Sequence, residues 1–401
     1  MEKAGLDGVA SKAGSRMDNR GGDVVVIGAG LIGLAIAFEL AERGATVRLY
    51  DRGEPGRAAS WAGAGMLAPY TERVANEALL EFCASSLREY PTFVDRVRAA
   101  SGIDPRLRLD GVVHAAFNDA DMERLRRAAH ELAERNVAAE TLDRPALLSA
   151  EPWLGSHVAG GLIVSGEGCV DNRLLGRALV SACQKRGVVV ERSSALRAEC
   201  DERRVLGVST DHGFVAAGAI VNACGAWASQ LQGIPAPCVP PIEPIKGEML
   251  ALGAPLNFVR HATWVAGAYL VPREDGRLLV GATVESVGFD ERVTARGMHE
   301  LLHAALSSAP SLGSFAVTET WAGLRPGTPD GLPFLGPTPI EGFFLACGHY
   351  RNGILLAPAS ARATADAIEN KTNAALRNFS IKRGRTEESS PSRITGGEGN
   401  D

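Results

Sequence analysis

The chain has 401 residues, 45% of them hydrophobic and 22% charged, with a formal net charge of −5. That length exceeds the usual size of one compact core, so two domains are expected, and the composition is that of an ordinary soluble globular protein. The negative balance provides no general attraction to nucleic acid or to an anionic membrane, and no apolar stretch is long enough to span a bilayer.

The first 22 residues are rich in Gly, Ser and charge and lack the apolar core of a secretory signal. They read as a disordered leader, with Met17 as an alternative start. The polar, low-complexity end over 380–401 reads as a disordered tail. Cys83, Cys169, Cys183, Cys200, Cys224, Cys238 and Cys347 are odd in number and form no Cys-x-x-Cys. That pattern suits reduced thiols in a cytoplasmic protein, without a disulfide framework or a zinc ribbon.

The first element is an apolar strand from Asp23 that runs into Gly28-x-Gly30-x-x-Gly33 and at once into a helix, Leu31 to about Arg43. A second strand, Val47–Tyr50, ends on Asp51 and Arg52. In such a unit Gly28 makes the tight turn, Gly30 lets backbone approach a pyrophosphate, and Gly33 lets helix and strand pack closely. The helix N-terminus offers free N–H groups to phosphates, and Asp51 can accept from a ribose hydroxyl. The unit implies a dinucleotide without saying which.

A long small-residue loop follows, Arg57-Ala-Ala-Ser-Trp-Ala-Gly-Ala-Gly-Met66, whose composition favours close approach to something bound. Helical patterns occupy about 77–100 and 121–136 around a strand near 112–117, and another helix covers 172–186. Short strands are expected at 188–191 and 205–209, and the apolar strand 219–222 runs into Ala223-Cys-Gly-Ala-Trp227. The proline-rich run 235–244 suggests a crossing between domains. Strands at about 247–252, 269–272, 277–282 and 315–323 surround a helix at 294–308. The chain closes with strand 343–347, the run Gly348-His-Tyr-Arg-Asn-Gly353, and a helix from about Ile354 to Asn370.

This order predicts a mixed α/β (α+β) fold. A Rossmann-type nucleotide domain over 23–76, 155–235 and 320–372 is interrupted by a second domain. That domain, over 77–154 and 236–319, has an antiparallel sheet and covering helices, and a ligand site is expected where the two meet.

His299-Glu-Leu-Leu-His303 has the spacing of a zinc hydrolase helix. The fingerprint would be unexplained in such an enzyme and no third-ligand motif follows. The run is therefore read as an amphipathic helix that carries the pattern by chance, and no metal is expected.

Blocks beyond the fingerprint carry a resemblance: Ala64-Gly-Met-Leu-Ala-Pro69, Val221-Asn-Ala-Cys-Gly-Ala-Trp227, Trp321-Ala-Gly-Leu-Arg-Pro-Gly-Thr-Pro-Asp-Gly331 and Gly348-His-Tyr-Arg-Asn-Gly-Ile-Leu-Leu-Ala-Pro358. From about Asp23 to Glu369 the chain resembles the FAD-dependent amine and amino-acid oxidases of the D-amino-acid oxidase fold, nearest the glycine-oxidase branch that serves thiamine biosynthesis. The resemblance implies noncovalent FAD. It assigns Leu31 and Ile32 to the pyrophosphate, beside Gly28, Gly30 and Gly33, and Asp51 and Arg52 to the adenosine ribose. Ala59, Ser60, Ala64, Gly65 and Met66 fall under the phosphates and flavin, and Ala195 against the adenine. His349, Tyr350, Arg351, Asn352, Gly353, Ile354 and Leu355 run past the flavin's pyrimidine end, where the last helix would aim its N-terminus. The loop is one residue longer than the family pattern around Trp61.

For substrate, the resemblance implies that Arg325 binds the carboxylate, with Arg351 and the Tyr269 hydroxyl helping. An arginine suits that role because its planar fork bonds both oxygens. No side chain is expected to act as nucleophile or acid/base. Glycine or another small amino acid would pass hydride to the flavin and oxygen would reoxidise it, with a thiazole synthase as possible partner and a homo-oligomer as the expected assembly. Gly267 and Val284 depart from the branch's histidine and methionine at two pocket positions. The alternatives are a D-amino-acid or sarcosine oxidase or dehydrogenase of this fold, or, from another class, an NAD(P)-binding regulator without turnover.

Overall fold

The computed structural model describes residues 23–193 and 196–383. The expected leader over 1–22, the tail beyond Arg383 and the Ala195 position lie outside the described residues. Ile381 and Arg383, expected to fall in the tail, are packed. Ile381 is buried, and Arg383 donates to Asp330 at 2.7 Å and to the Pro333 carbonyl at 2.7 Å.

The first layer is a six-stranded sheet in the order Phe334–Pro337, Phe343–Cys347, Ala219–Asn222, Val24–Ile27, Val47–Asp51, Val189–Arg192. Its strands run parallel except for Phe334–Pro337. Val24–Ile27 lies in its middle, and all four residues are buried. Val24 and Val26 pack towards helices, while Val25 and Ile27 pack towards the opposite face. A strand covered on both sides must be apolar on both, so this one reads as a continuous run. The helices Leu31–Glu42, Glu77–Ser101, Asn172–Lys185 and Ala357–Ile368 share the first face. The other face carries the three-stranded sheet Arg197–Cys200, Val205–Thr210 and Gly213–Ala216.

The second layer is an eight-stranded sheet in the order Val317–Gly327, Glu243–Gly253, Arg277–Gly281, Ala268–Pro272, Ala262–Val265, Val112–Ala116, Gly160–Val164, Ala139–Asp143. Neighbours are antiparallel apart from Ala262–Val265 and Val112–Ala116. Leu250 and Leu252 point to a core shared with the helix Ala295–Ser308, and Met249 and Ala251 point the other way, towards the small-residue loop. This period of two decides which side chains can reach a ligand between the layers.

Local signals account for the helix starts. The Asn76, Asn118, Asp143, Asp171 and Thr294 side chains each accept a backbone N–H of the turn they cap. Two elements depart from the expected segment boundaries. The helix Glu77–Ser101 packs on the helices of the first layer, and Gly160–Val164 pairs into the second sheet. Both sequences show which of their faces are apolar, but not which sheet covers them. The strands Ala139–Asp143, Arg197–Cys200 and Gly213–Ala216 were not anticipated. They are only four or five residues long, and the first two are half or more polar, so they carry little pattern. No helix of the described residues is long and apolar enough to cross a membrane.

Candidate functional site

A cavity of about 1000 Å³ runs between the layers. One end is built by the fingerprint. Gly28 turns at φ +106, and a Cβ there would lie 2.3 Å from the Ala223 carbonyl oxygen. A Cβ on Gly33 would lie 1.8 Å from the Gly28 oxygen, so Gly33 serves packing and is not part of the cavity wall. Gly28, Gly30, Ile32, Asp51 and Arg52 are part of the wall. Leu31 is buried beneath it, with its N–H donating to Ser60 Oγ at 2.9 Å. The Asp51 carboxylate accepts from the N–H groups of Ala29 and Gly53, each at 2.7 Å, and so braces the turn beside the wall. The Arg52 guanidinium lies 4.1 Å over the Trp227 ring.

The small-residue loop forms the floor. It contains a short helix, Ala59–Ala62, pressed so closely on the second sheet that a Cβ at Gly323 would sit 2.4 Å from Ala62 Cβ. Trp321 Nε1 donates to the Ala62 carbonyl at 2.9 Å, and Arg273 donates to the Ala64 carbonyl at 2.7 Å. Gly65 adopts φ +70, and a Cβ there would lie 1.9 Å from the Val170 oxygen. Ala59, Ser60, Ala64, Gly65 and Met66 all line the cavity.

The turn that follows the strand Phe343–Cys347 adds to the cavity wall. His349, Tyr350, Arg351, Gly353 and Ile354 line it. Asn352 and Leu355 do not: the Asn352 carbonyl accepts from Leu356 N–H at 2.7 Å, and Leu355 is buried with its carbonyl accepting from Ser86 Oγ at 2.6 Å. His349 is buried, with Nε2 3.0 Å from Ser360 Oγ, and burial pushes its pKa down to about 3. The final helix begins at Ala357, later than the expected Ile354. Pro358 stands in its first turn, where its missing N–H costs nothing. Residues 353–356 form turns that precede it.

At the far end the second sheet presents one face. Arg325 and Gly323 from Val317–Gly327, Gly247 and Met249 from Glu243–Gly253, Gly281, and Tyr269 from Ala268–Pro272 all line the cavity. The register explains the meeting: Gly247 pairs with Gly323, Met249 with Gly281, and Gly281 with Tyr269. The two glycines at 247 and 281 make the space. A Cβ at 247 would lie 2.3 Å from an Arg325 guanidinium nitrogen, and one at 281 would lie 2.6 Å from the Tyr269 hydroxyl.

Arg325 donates to the carbonyls of Lys246 at 3.2 Å and Thr283 at 3.1 Å, and pairs with no carboxylate among the described residues. Lys246 is itself held by Glu248 at 2.8 Å and Glu285 at 3.0 Å. Arg351 lines the same end. Burial raises the Tyr269 phenol above its ordinary range, against the pull of Arg325.

Sequence reasoning missed Glu72, Gly247, Gly281 and the run Ala223–Trp227 as parts of the wall. The last of these was visible as a block and needed only a place. Gly267 lines the cavity, whereas Val284 is 52% exposed and lies outside the wall. His299, Glu300 and His303 are exposed on the helix Ala295–Ser308, the two imidazoles stacked 6.0 Å apart. Among the described residues no group of three or more His, Cys, Asp or Glu could hold a metal ion.

The sequence pattern of the FAD dependent oxidoreductase family, DAO, matches residues 23–367. A glycine oxidase of Pseudomonas putida is 36% identical over 356 residues, covering 86% of this chain and 94% of that one. The bifunctional protein ThiO/ThiG of Synechocystis sp. is 37% identical over 370 residues, 90% of this chain, which spans only 54% of that longer protein. The crystal structure of glycine oxidase from Geobacillus kaustophilus superimposes with a TM-score of 0.85 at 34% identity, over 90% of this chain and 98% of that one.

Proposed function

Because the chain belongs to the FAD dependent oxidoreductase family, DAO, we propose that it oxidises glycine, with oxygen as the final electron acceptor. The observation that carries this reading is Arg325. It is a guanidinium with no carboxylate partner among the described residues, set in the wall of the same cavity whose other end is a glycine-lined turn.

The residues present fit FAD. The cavity, about 1000 Å³, is lined by residues of both layers, and its fingerprint end tolerates no Cβ at Gly28. Gly28, Gly30 and Ile32 would hold the pyrophosphate, and Asp51 and Arg52 the adenosine. Ala59, Ser60 and Ala64–Met66 would lie along the phosphates and ring, with His349–Ile354 at the pyrimidine end. FAD bound there would supply the acceptor for a hydride from the substrate Cα and the route of its electrons to oxygen.

The protein's part is to bind and orient. The Arg325 fork takes both carboxylate oxygens, and the Tyr269 hydroxyl and Arg351 add hydrogen bonds to the same group. The product imine either hydrolyses to glyoxylate and ammonia or passes to a thiazole synthase of thiamine biosynthesis. The longer relative, of which this chain spans about half, supports that second route. Gly267 puts no side chain into the wall, which leaves room for an N-methyl group or a small side chain.

The test is anaerobic bleaching of the bound flavin by glycine, sarcosine and D-amino acids in parallel. Glycine is expected to bleach it. Bleaching by none of them overturns the reading, and bleaching only by the larger substrates reassigns the specificity.

A further inference from the structure

We propose that Glu72 accepts the proton that the substrate's ammonium group must lose before oxidation. The proposal rests on the reading of this cavity as a glycine site and adds a residue to it. Glycine in neutral water is a zwitterion. Its Cα–H can leave as hydride only if the nitrogen has a free lone pair to form the C=N bond. A carboxylate in the substrate wall can both attract the ammonium and take its proton.

Among the described residues the carboxylates of the cavity wall are Asp51, Glu54, Glu72 and Glu291, and of these Glu72 is the one that interacts with Arg325, Arg351 and Tyr269. Glu72 is half-buried, and its carboxylate makes no hydrogen bond and no ion pair among the described residues. The cations it feels most are Arg351 and Arg325, which share the cavity wall with it. A substrate carboxylate on Arg325 therefore brings its amine into the same end of the cavity as Glu72, which offers it a negative partner.

The backbone that carries Glu72 is tied down. Its N–H donates to the Ala68 carbonyl at 3.0 Å. Just before it, buried Glu167 accepts from Tyr70 N–H at 2.6 Å, from Thr71 N–H at 3.1 Å and from the Thr71 hydroxyl.

Burial raises Glu72 from 4.5 to about 7, against Arg351 and Arg325. An acceptor with that value is matched to neutral pH, where an ordinary carboxylate would be too weak a base. The other ionisable groups around it are Tyr269 on its strand, Glu167 on the loop behind and Cys83 on the helix Glu77–Ser101.

The step balances. One ammonium N–H bond breaks and one O–H bond forms on Glu72, with no change of oxidation state. The Cα–H pair then leaves as hydride to the cofactor while the nitrogen lone pair closes the C=N bond. Glycine and oxygen become iminoglycine and hydrogen peroxide, whose second proton is the one Glu72 holds.

The experiment compares wild type, Glu72→Gln and Glu72→Asp, each with its FAD content fixed by absorbance. Three readouts are taken: the pH profile of anaerobic bleaching by glycine, proton release on mixing, and binding of acetate, which has the carboxylate without the amine. In wild type the bleaching rate is expected to rise through about pH 7 and level off. In Glu72→Gln it should fall about 10²-fold at neutral pH and recover only as the pH approaches the titration of free glycine. Acetate should bind Glu72→Gln no more weakly than wild type, and Glu72→Asp should keep the wild-type profile shape.

An unchanged profile in Glu72→Gln overturns the proposal, as does a parallel loss of acetate binding. If Glu72→Gln fails to load FAD, Glu72→Ala, which also lacks the carboxylate, is read by the same two criteria. A wild-type flavin that glycine does not bleach overturns the glycine reading, and this proposal with it. A bleached wild type beside an unchanged variant overturns the role of Glu72 alone.

Discussion

The sharpest consequence of the site's geometry concerns Gly247, a residue that would never contact substrate through a side chain of its own. A Cβ at this position would stand 2.3, 2.4 and 2.5 Å from three atoms of the Arg325 guanidinium. The backbone lies in the strand Glu243–Gly253 and accepts alanine without strain, so the fork must move. Ordinary contact begins near 3.4 Å, and 3.4 less 2.3 gives a displacement of about 1.1 Å. The fork is the far end of a flexible side chain, so the fold should yield cheaply, but the carboxylate site moves with it. A misplacement of about 1 Å costs on the order of 10²-fold in rate, or about 2.7 kcal/mol of transition-state stabilisation. Gly247→Ala should therefore lower kcat/KM for glycine by about 10²-fold while FAD content and Tm stay near wild type. Steady-state oxygen uptake, flavin absorbance and thermal melting measure these together. A variant within about threefold of wild type in kcat/KM would refute the argument that Gly247 is what gives Arg325 its place.

Removing the fork altogether should be worse: Arg325→Ala loses about 2–5 kcal/mol of a desolvated charge pair, roughly 30- to 5,000-fold in kcat/KM, with the protein still yellow. Its dissociation constant for acetate should rise in step, and normal glycine turnover would remove Arg325 from the site. His349 bears on acid stability. Its folded-state pKa is pushed down to about 3 from 6.5, so below pH 6.5 the unfolded chain binds the extra proton, and the stability present above that pH is lost as pH falls. Between pH 7 and pH 5 wild type should lose about 2 kcal/mol more than His349→Asn in denaturant unfolding, and identical slopes would refute this. Cys224 and Cys347 line the cavity, and burial pushes the first thiol up to about 12 and the second higher still. Protonated thiols are poor nucleophiles, so acid precipitation should release the flavin to the supernatant, and a yellow pellet would show a covalent link.

The glycine-lined turn was legible because a strand, a tight turn and a helix follow one another along contiguous backbone. Gly28, Gly30 and Gly33 follow one another within a single turn, where Gly28 takes φ +106 and a Cβ on Gly33 would lie 1.8 Å from the Gly28 oxygen. The strand Val24–Ile27 was legible for a similar cause, since a strand buried on both faces must be apolar throughout. The zinc-like run at His299–His303 shows the limit of this local legibility. It is complete as a motif, yet the fold leaves it on an exposed helix face with no third ligand among the described residues. The helix Glu77–Ser101 shows the same limit in packing, because its apolar face is plain and the layer that covers it is not.

The substrate end was another matter. Arg325 and Tyr269 could be proposed only through resemblance, because nothing near them in sequence brings them together. Strand order does that: two strands lie between theirs, and Gly247 and Gly281 on those strands leave the gap into which both side chains fit. Glu72 carried no signal at all, since a carboxylate in a loop is ordinarily solvated, and only the neighbouring Arg325, Arg351 and Tyr269 make it more than that. A pyrophosphate is held by one stretch of backbone, which a sequence spells out in order. A small amino acid is held by side chains converging from distant strands, and that convergence exists only once the sheet has formed.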